Sequence, residues 1–283
     1  MPAPDAMTCE KLSKLIGTPR APVVLDVRRE ALRFADARLI PTARPLPEDR
    51  LSPEALSVLA QELMREMPDQ PVLVVCAEGH GRSQGVAAWL RQEGIAAEYL
   101  EGGHAAWDAG NLPLYDPTKL NKRDHLGRSL WVTRSRPKID RLACPWLIRR
   151  FIDPRAVFLY VAPAEVQSVA DSIGAMPFDI DGVFWSHRDE TCTFDTLIRE
   201  FGLAIPALDR LATIVRGADT DRPDLAPECA GLLAASLGLS RMYSDDLEQL
   251  EAGIGLYDAF YRWARDATGE VHTWQNHAGR TGK

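Results

Sequence analysis

One stretch of the sequence gathers a thiol, an arginine and a serine. Between Val72 and Trp89, Cys76 follows an apolar run and precedes Arg82 and Ser83 at Cys-x5-Arg-Ser spacing. A thiol at the end of a buried strand, ahead of a glycine-bearing turn and a helix, faces an array of backbone N–H groups. The helix N-terminus adds partial positive charge and Arg82 a formal one. All three favour thiolate over thiol and predict a Cys76 pKa below the ordinary value of about 8.5. Cys76 and Arg82 are thus the catalytic candidates. Ala77, Glu78, Gly79, His80, Gly81 and Ser83 form the surrounding cradle, which can hold an anion on the far side of the sulfur. Glu78 would repel that anion unless it points outward. His80 is either an acid–base group titrating near neutral pH or an exposed, backbone-bonded loop residue.

A second constellation lies further along. His187, Glu190 and Cys192 fall within six residues, and Asp219 and Asp221 follow in a loop expected after a helix. Imidazole, carboxylate and thiolate are ligand types for a divalent transition metal. His187, Glu190, Cys192 and Asp219 therefore make a candidate metal set; the alternative is a polar loop with a hydrogen-bonded histidine. Between Lys119 and Arg150 the chain carries ten Lys or Arg against two acids, Asp124 and Asp140. Such a run either neutralises nucleic-acid phosphates or pairs with the acidic remainder of a chain whose net charge is −7. No DNA-binding pattern precedes it, so ion pairing is the expectation and DNA is not an expected partner.

These groups need elements to hold them. The chain has 283 residues, 26% charged and 46% hydrophobic, an ordinary globular balance. At roughly 150 residues per domain the length predicts two domains, each large enough for its own core. Strand-like runs at Val23–Val27, Val72–Val75 and Glu98–Leu100 alternate with a helix opening at Ser52-Pro53-Glu54, a helix after the Cys76 loop, and a short one over Gly102–Ala109. That alternation predicts a parallel sheet with helices on both faces for residues 1–115. Periodicity vanishes after Asp116, and 116–130 reads as a linker. Residues 131–275 form the second region, α+β and mostly helical. Strands are expected at Leu130–Thr133 and Val157–Val161. Helices are expected over Asp140–Phe151, Ala164–Ile173, Thr193–Phe201, Pro206–Arg216, Leu225–Leu237 and Asp245–Ala267. Residues 276–283 read as a tail. Five scattered cysteines without a CxxC pair exclude a disulfide framework or zinc ribbon, and Cys144 and Cys229, flanked by apolar residues, belong to the core. No run of about 18 apolar residues and no signal-like start occur, so the expectation is a cytoplasmic chain with no membrane partner.

The pieces LDVR (Leu25–Arg28), ARLIPTA (Ala37–Ala43), the Cys76 loop and YLEGGHAAW (Tyr99–Trp107) stand in the order of a rhodanese domain, which residues 5–115 resemble. The resemblance implies a five-stranded parallel sheet and Cys76 as a sulfur-accepting nucleophile that needs no cofactor. Thiosulfate or another sulfane-sulfur donor would be the substrate, and a thiol, an acceptor protein or cyanide the acceptor. It gives Asp26 and Arg28 a supporting role in orienting and bracing the loop. One departure matters. The usual sulfurtransferase loop is Cys-x4-Arg, and the extra residue resembles the phosphatase and arsenate reductase members of the same fold. A single sulfur atom and a tetrahedral oxyanion such as chromate therefore both stay open as ligands. Val75 stands where tyrosine phosphatases carry His, which makes dephosphorylation the weaker branch. KIDRLACPWLIRRFID (Lys138–Asp153), PFDIDGVFWSHRDETCTFD (Pro177–Asp195) and IVRGADTDRPDLAP (Ile214–Pro227) resemble the C-terminal domain of ChrB-type chromate resistance proteins, from about Trp131 to Trp274. That resemblance implies a role in chromate or oxidative stress resistance, chromate-responsive regulation included, and supplies no reaction. The leading reading is a sulfurtransferase working through a Cys76 persulfide. The rivals are a chromate- or redox-responsive regulator with a sensing rhodanese domain, and an oxyanion reductase or phosphatase built on the long loop.

Overall fold

The computed structural model describes residues 5–120 and 122–270; the tail 276–283 and the last residues of the second region, 271–275, lie outside them. The first half runs β1 (Ala6–Met7), α1 (Cys9–Leu15), β2 (Val23–Asp26), α2 (Glu30–Ala35), β3 (Arg44–Pro45), α3 (Pro53–Glu66), β4 (Val72–Val75), α4 (Gly81–Gln92), β5 (Ala97–Leu100) and α5 (Gly103–Ala109). Its five strands form one parallel sheet in the order β1-β5-β4-β2-β3, which puts β4 at the centre. All four β4 residues are buried, as a strand covered on both faces requires. α3 starts where Ser52 caps it, accepting the Ala55 N–H at 3.2 Å, with Pro53 in the first turn. It turns Leu56, Leu59, Ala60 and Leu63 inward.

The second half begins with β6 (Leu130–Arg134) and α6 (Ile139–Leu147), then β7 (Val157–Val161), α7 (Val166–Ile173) and β8 (Met176–Pro177). The three strands form a second parallel sheet, ordered β7-β6-β8. Helices α8 (Thr193–Phe201), α9 (Pro206–Asp219), α10 (Cys229–Met242) and α11 (Asp246–Asp266) follow. α10 starts four residues later than the apolar spacing suggests, because Pro223–Leu225 closes a separate 3-10 turn. α6 holds Pro145, which has no N–H to offer the carbonyl four residues back. That carbonyl, on Arg141, accepts the Tyr160 hydroxyl from β7 at 3.0 Å instead. Residues Ile148–Ile152 then widen into a π-helical turn.

The halves do not keep separate cores. Val72, Val74 and Cys76 pack with Leu59, Val86 and Leu90 on one face of the first sheet. On the other face, Met7, Leu12, Val24, Leu39, Leu73, Trp107 and Tyr115 join a cluster continuous with Trp131, Trp146, Phe151 and Phe178 of the second half. The helices on that face, α1 and α5, have only seven residues each, and the second half continues the apolar layer they leave short. Residues 116–130 do not hang free between the two. The Asp116 N–H donates to the Phe201 carbonyl at 2.9 Å, Lys119 pairs with Glu200 at 3.6 Å, and Leu120 is buried. Cys144 and Cys229 are buried in the shared core. Among the described residues no helix is long and apolar enough to cross a membrane.

Candidate functional site

Cys76 sits at the carboxyl end of the central strand, where the first parallel sheet opens to its loops. Its Sγ lies 3.0 Å from the buried Ser83 hydroxyl and 3.9 Å from the His80 carbonyl. Burial alone would push the thiol up. The Ser83 hydroxyl and backbone hydrogen bonds from Ser83, Glu78 and His80 outweigh it and hold Cys76 below the ordinary thiol range. The loop is anchored from below by the first turn of α5, whose amides have no intrahelical acceptor. The His104 N–H donates to the Cys76 carbonyl and the Ala105 N–H to the Ala77 carbonyl, both at 2.9 Å. Two glycines permit this approach. Gly79 has φ +72°, and a Cβ there would stand 2.6 Å from the Gly102 nitrogen; Gly103, φ +59°, would drive a Cβ into the Cys76 carbonyl.

The charged loop groups point elsewhere. Arg82 gives its guanidinium to the Glu48 carboxylate at 3.0 Å and the Val27 carbonyl at 3.4 Å, so its charge is neutralised there. Glu78 and His80 are exposed and 3.8 Å apart. Asp26 and Arg28 form a buried ion pair at 2.8 Å beneath the loop, and Arg28 also donates to the Arg38 carbonyl at 2.9 Å. The same carbonyl lies 3.3 Å from His104 Nε2. Burial, with the nearby Arg28 charge, pushes His104 down. This chain of contacts ties the end of β2 to the helix that carries the loop.

The second cluster differs from the expected one. His187 Nε2 faces Asp219 Oδ2 at 3.2 Å, Asp179 Oδ1 at 3.3 Å and Asp140 Oδ2 at 3.5 Å. His187 and Asp219 of the sequence-based set are thus together. Glu190 is not with them: the turn over Arg188–Thr191 leaves it exposed, 3.5 Å from Arg222. Nor is Cys192, which is buried as the N-cap of α8 with its N–H on Asp195 at 3.0 Å; burial pushes its thiol well up. Asp140 and Asp179 take their places. Hydrogen bonds to Asp179 and Asp219 outweigh burial and raise His187 to about 10, while burial and the Asp219 and Asp179 charges push Asp140 up. The signal that could have found Asp179 is an acid between apolar residues, Phe178-Asp179-Ile180, whereas Asp140, between Ile139 and Arg141, carries none. The basic run pairs internally: Arg123 with Asp153, Arg128 with Asp124, Arg141 with Asp179, Arg150 with Asp258.

Residues 8–110 match the family model of the rhodanese-like domain, and residues 131–264 that of the ChrB C-terminal domain. Over 155 residues the chain is 37% identical to Protein ChrB of Cupriavidus metallidurans, a match covering 54% of this chain and 44% of that protein. The chain thus spans less than half the length of that relative. Among solved structures it is similar to a rhodanese-related protein of Thermoplasma volcanium, with 24% identity and TM-score 0.30, over 38% of this chain and 95% of that one. A rhodanese-like domain protein of Staphylococcus aureus shows 26% identity and TM-score 0.29, over 36% and 90%. The chain therefore carries a rhodanese-like domain followed by a ChrB C-terminal domain, with the Cys76 loop in the first and the His187 cluster in the second.

Proposed function

We propose that the chain transfers sulfane sulfur through Cys76, in the response to chromate or oxidative stress. The observation that carries this reading is the seat of Sγ, a buried thiol 3.0 Å from Ser83 whose hydrogen bonds favour the thiolate. That thiolate attacks the outer sulfur of a donor such as thiosulfate. The donor S–S bond breaks, sulfite leaves with the bonding pair, and Cys76 becomes a persulfide. A thiolate or cyanide then attacks the outer sulfur, and the Cys76 thiolate leaves with its electron pair. Loop amides are the groups at hand to hold the persulfide anion. Arg82 is paired with Glu48 at 3.0 Å, so the loop amides rather than its guanidinium face the bound sulfur. The ChrB C-terminal domain is what links this chemistry to chromate stress.

Intact-mass measurement after thiosulfate treatment tests the reading. Wild type is expected to gain one sulfur atom, removable by cyanide. Cys76→Ser, which has no stable anion at neutral pH, should gain none and lose thiosulfate:cyanide turnover with an unchanged circular dichroism spectrum. A serine variant that turns over as fast as wild type, or a wild type that takes up no sulfur, defeats it.

A further inference from the structure

We infer that the cluster at the carboxyl ends of β6 and β8 binds one divalent cation of the Mn2+ or Fe2+ class, through His187 Nε2 and one carboxylate oxygen each of Asp140 and Asp219. This goes beyond sulfur transfer and does not depend on it. The site is assembled from three separate segments: the start of α6, the loop before α8 and the last residue of α9. Ligands about 2.1 Å from a shared ion lie about 3.0–3.4 Å from one another at octahedral or tetrahedral angles. The His187 separation of 3.2 Å from Asp219 falls on that scale, and that of 3.5 Å from Asp140 lies just beyond it. Asp140, His187 and Asp219 each bring a ligand atom within 4.8 Å of the other two.

A second observation points to a cation. Asp140 is 1% exposed, and its Oδ1 has no hydrogen-bond partner. Its Oδ2 is both the oxygen nearest His187 and the acceptor of the Thr193 N–H at 2.6 Å. A carboxylate so dry and so poorly satisfied is costly unless a cation compensates it.

Asp179 stays outside the ligand set: Arg134 and Arg141 hold its Oδ2 at 3.4 and 3.3 Å and the Thr193 hydroxyl its Oδ1 at 2.9 Å. The Asp140 N–H meets Asp219 Oδ1 at 3.4 Å and leaves Oδ2 toward His187. Such outer contacts fix ligand orientation in metal sites. Two carboxylates and one imidazole, without thiolate, suit a hard to borderline ion rather than a soft one. His187 is 41% exposed, so the ion is reached from solvent and keeps water on its open side.

The test uses the full chain, stripped by chelator and titrated with Mn2+, with the free ion followed by electron paramagnetic resonance. Wild type is expected to take up one ion per chain and to melt higher with it. His187→Gln and Asp219→Asn are expected to lose at least about tenfold in affinity, while Glu190→Gln binds as wild type. If Asp219→Asn melts lower without metal, the partly exposed His187→Gln decides alone. A wild type with no saturable uptake, or an affinity unchanged in His187→Gln, overturns the assignment and leaves an imidazolium held by three carboxylates.

Discussion

At the scale of single residues, the reactivity of Cys76 rests on few hydrogen bonds, and Ser83 supplies the one from a side chain. Ser83→Ala removes a donor 3.0 Å from Sγ and leaves burial, which raises the thiol, less opposed. A hydrogen bond to a charged group is worth about 1.5–3 kcal/mol, on the order of one pH unit or more in pKa. The alkylation midpoint of Cys76 should therefore move up by about one unit. The rate should fall at every pH below the new midpoint and converge with wild type well above it. Peptide mass mapping of iodoacetamide labelling against pH separates Cys76 from Cys9; a midpoint that stays put or moves down removes Ser83 from this role. The sequence marks the Cys76 loop because its chemistry is contiguous, with strand, thiol, glycines and arginine within a dozen residues. It does not mark the His187 cluster in the same way. Proximity in sequence suggests Glu190 and Cys192, but one turn sends the first to solvent and a helix cap turns the second into the core. Asp140 and Asp179 join only through tertiary packing.

At the scale of elements, long segments with strong periodicity were legible and two-residue strands were not. β4 and α8 fall where their patterns predict them, whereas β1, β3 and β8 carry too few residues to show alternation. α1 and α2 show no periodicity either; each spans fewer than two full turns, and the Thr8 cap of α1 is an isolated signal. The contact between α5 and the Cys76 loop explains why Gly102-Gly103-His104 reads as a motif. Gly103→Ala places a Cβ against the Cys76 carbonyl at a left-handed backbone position, and should cost about 1–3 kcal/mol while slowing Cys76 labelling. Gly85→Ala makes the opposite prediction. Gly85 is exposed inside α4 with open space around its Cβ position, so alanine should stabilise by about 0.5–1 kcal/mol and leave labelling unchanged. Urea unfolding of the two variants reads both signs; equal effects would detach stability from the loop contact.

At the scale of the molecule, the shared core decides how the halves depend on each other. Length and linker composition suggest two independent cores, because neither carries information about which apolar faces meet. The structure instead joins them through Phe151, just past α6. Its ring packs on Trp146 at 5.8 Å and Tyr261 at 5.4 Å, and its carbonyl takes the Thr42 N–H from the first half at 3.0 Å. Gly17 of the first half has no room for a side chain because the Phe151 and Tyr261 rings occupy that space. A seam packed this closely couples the stability of one half to the other. Phe151→Ala deletes a fully buried ring and should cost about 3–5 kcal/mol. The loss should reach both halves, so tryptophan fluorescence, to which Trp131, Trp146, Trp185 and Trp263 of the second half contribute beside Trp89 and Trp107 of the first, and protection of Cys76 in the first should shift to lower urea by the same amount. In wild type the two probes should trace one transition. Separate midpoints in wild type, or a variant that shifts the fluorescence and leaves Cys76 protection in place, would show two units that fold apart. In that event the rhodanese-like half would owe its thiol chemistry to its own sheet alone.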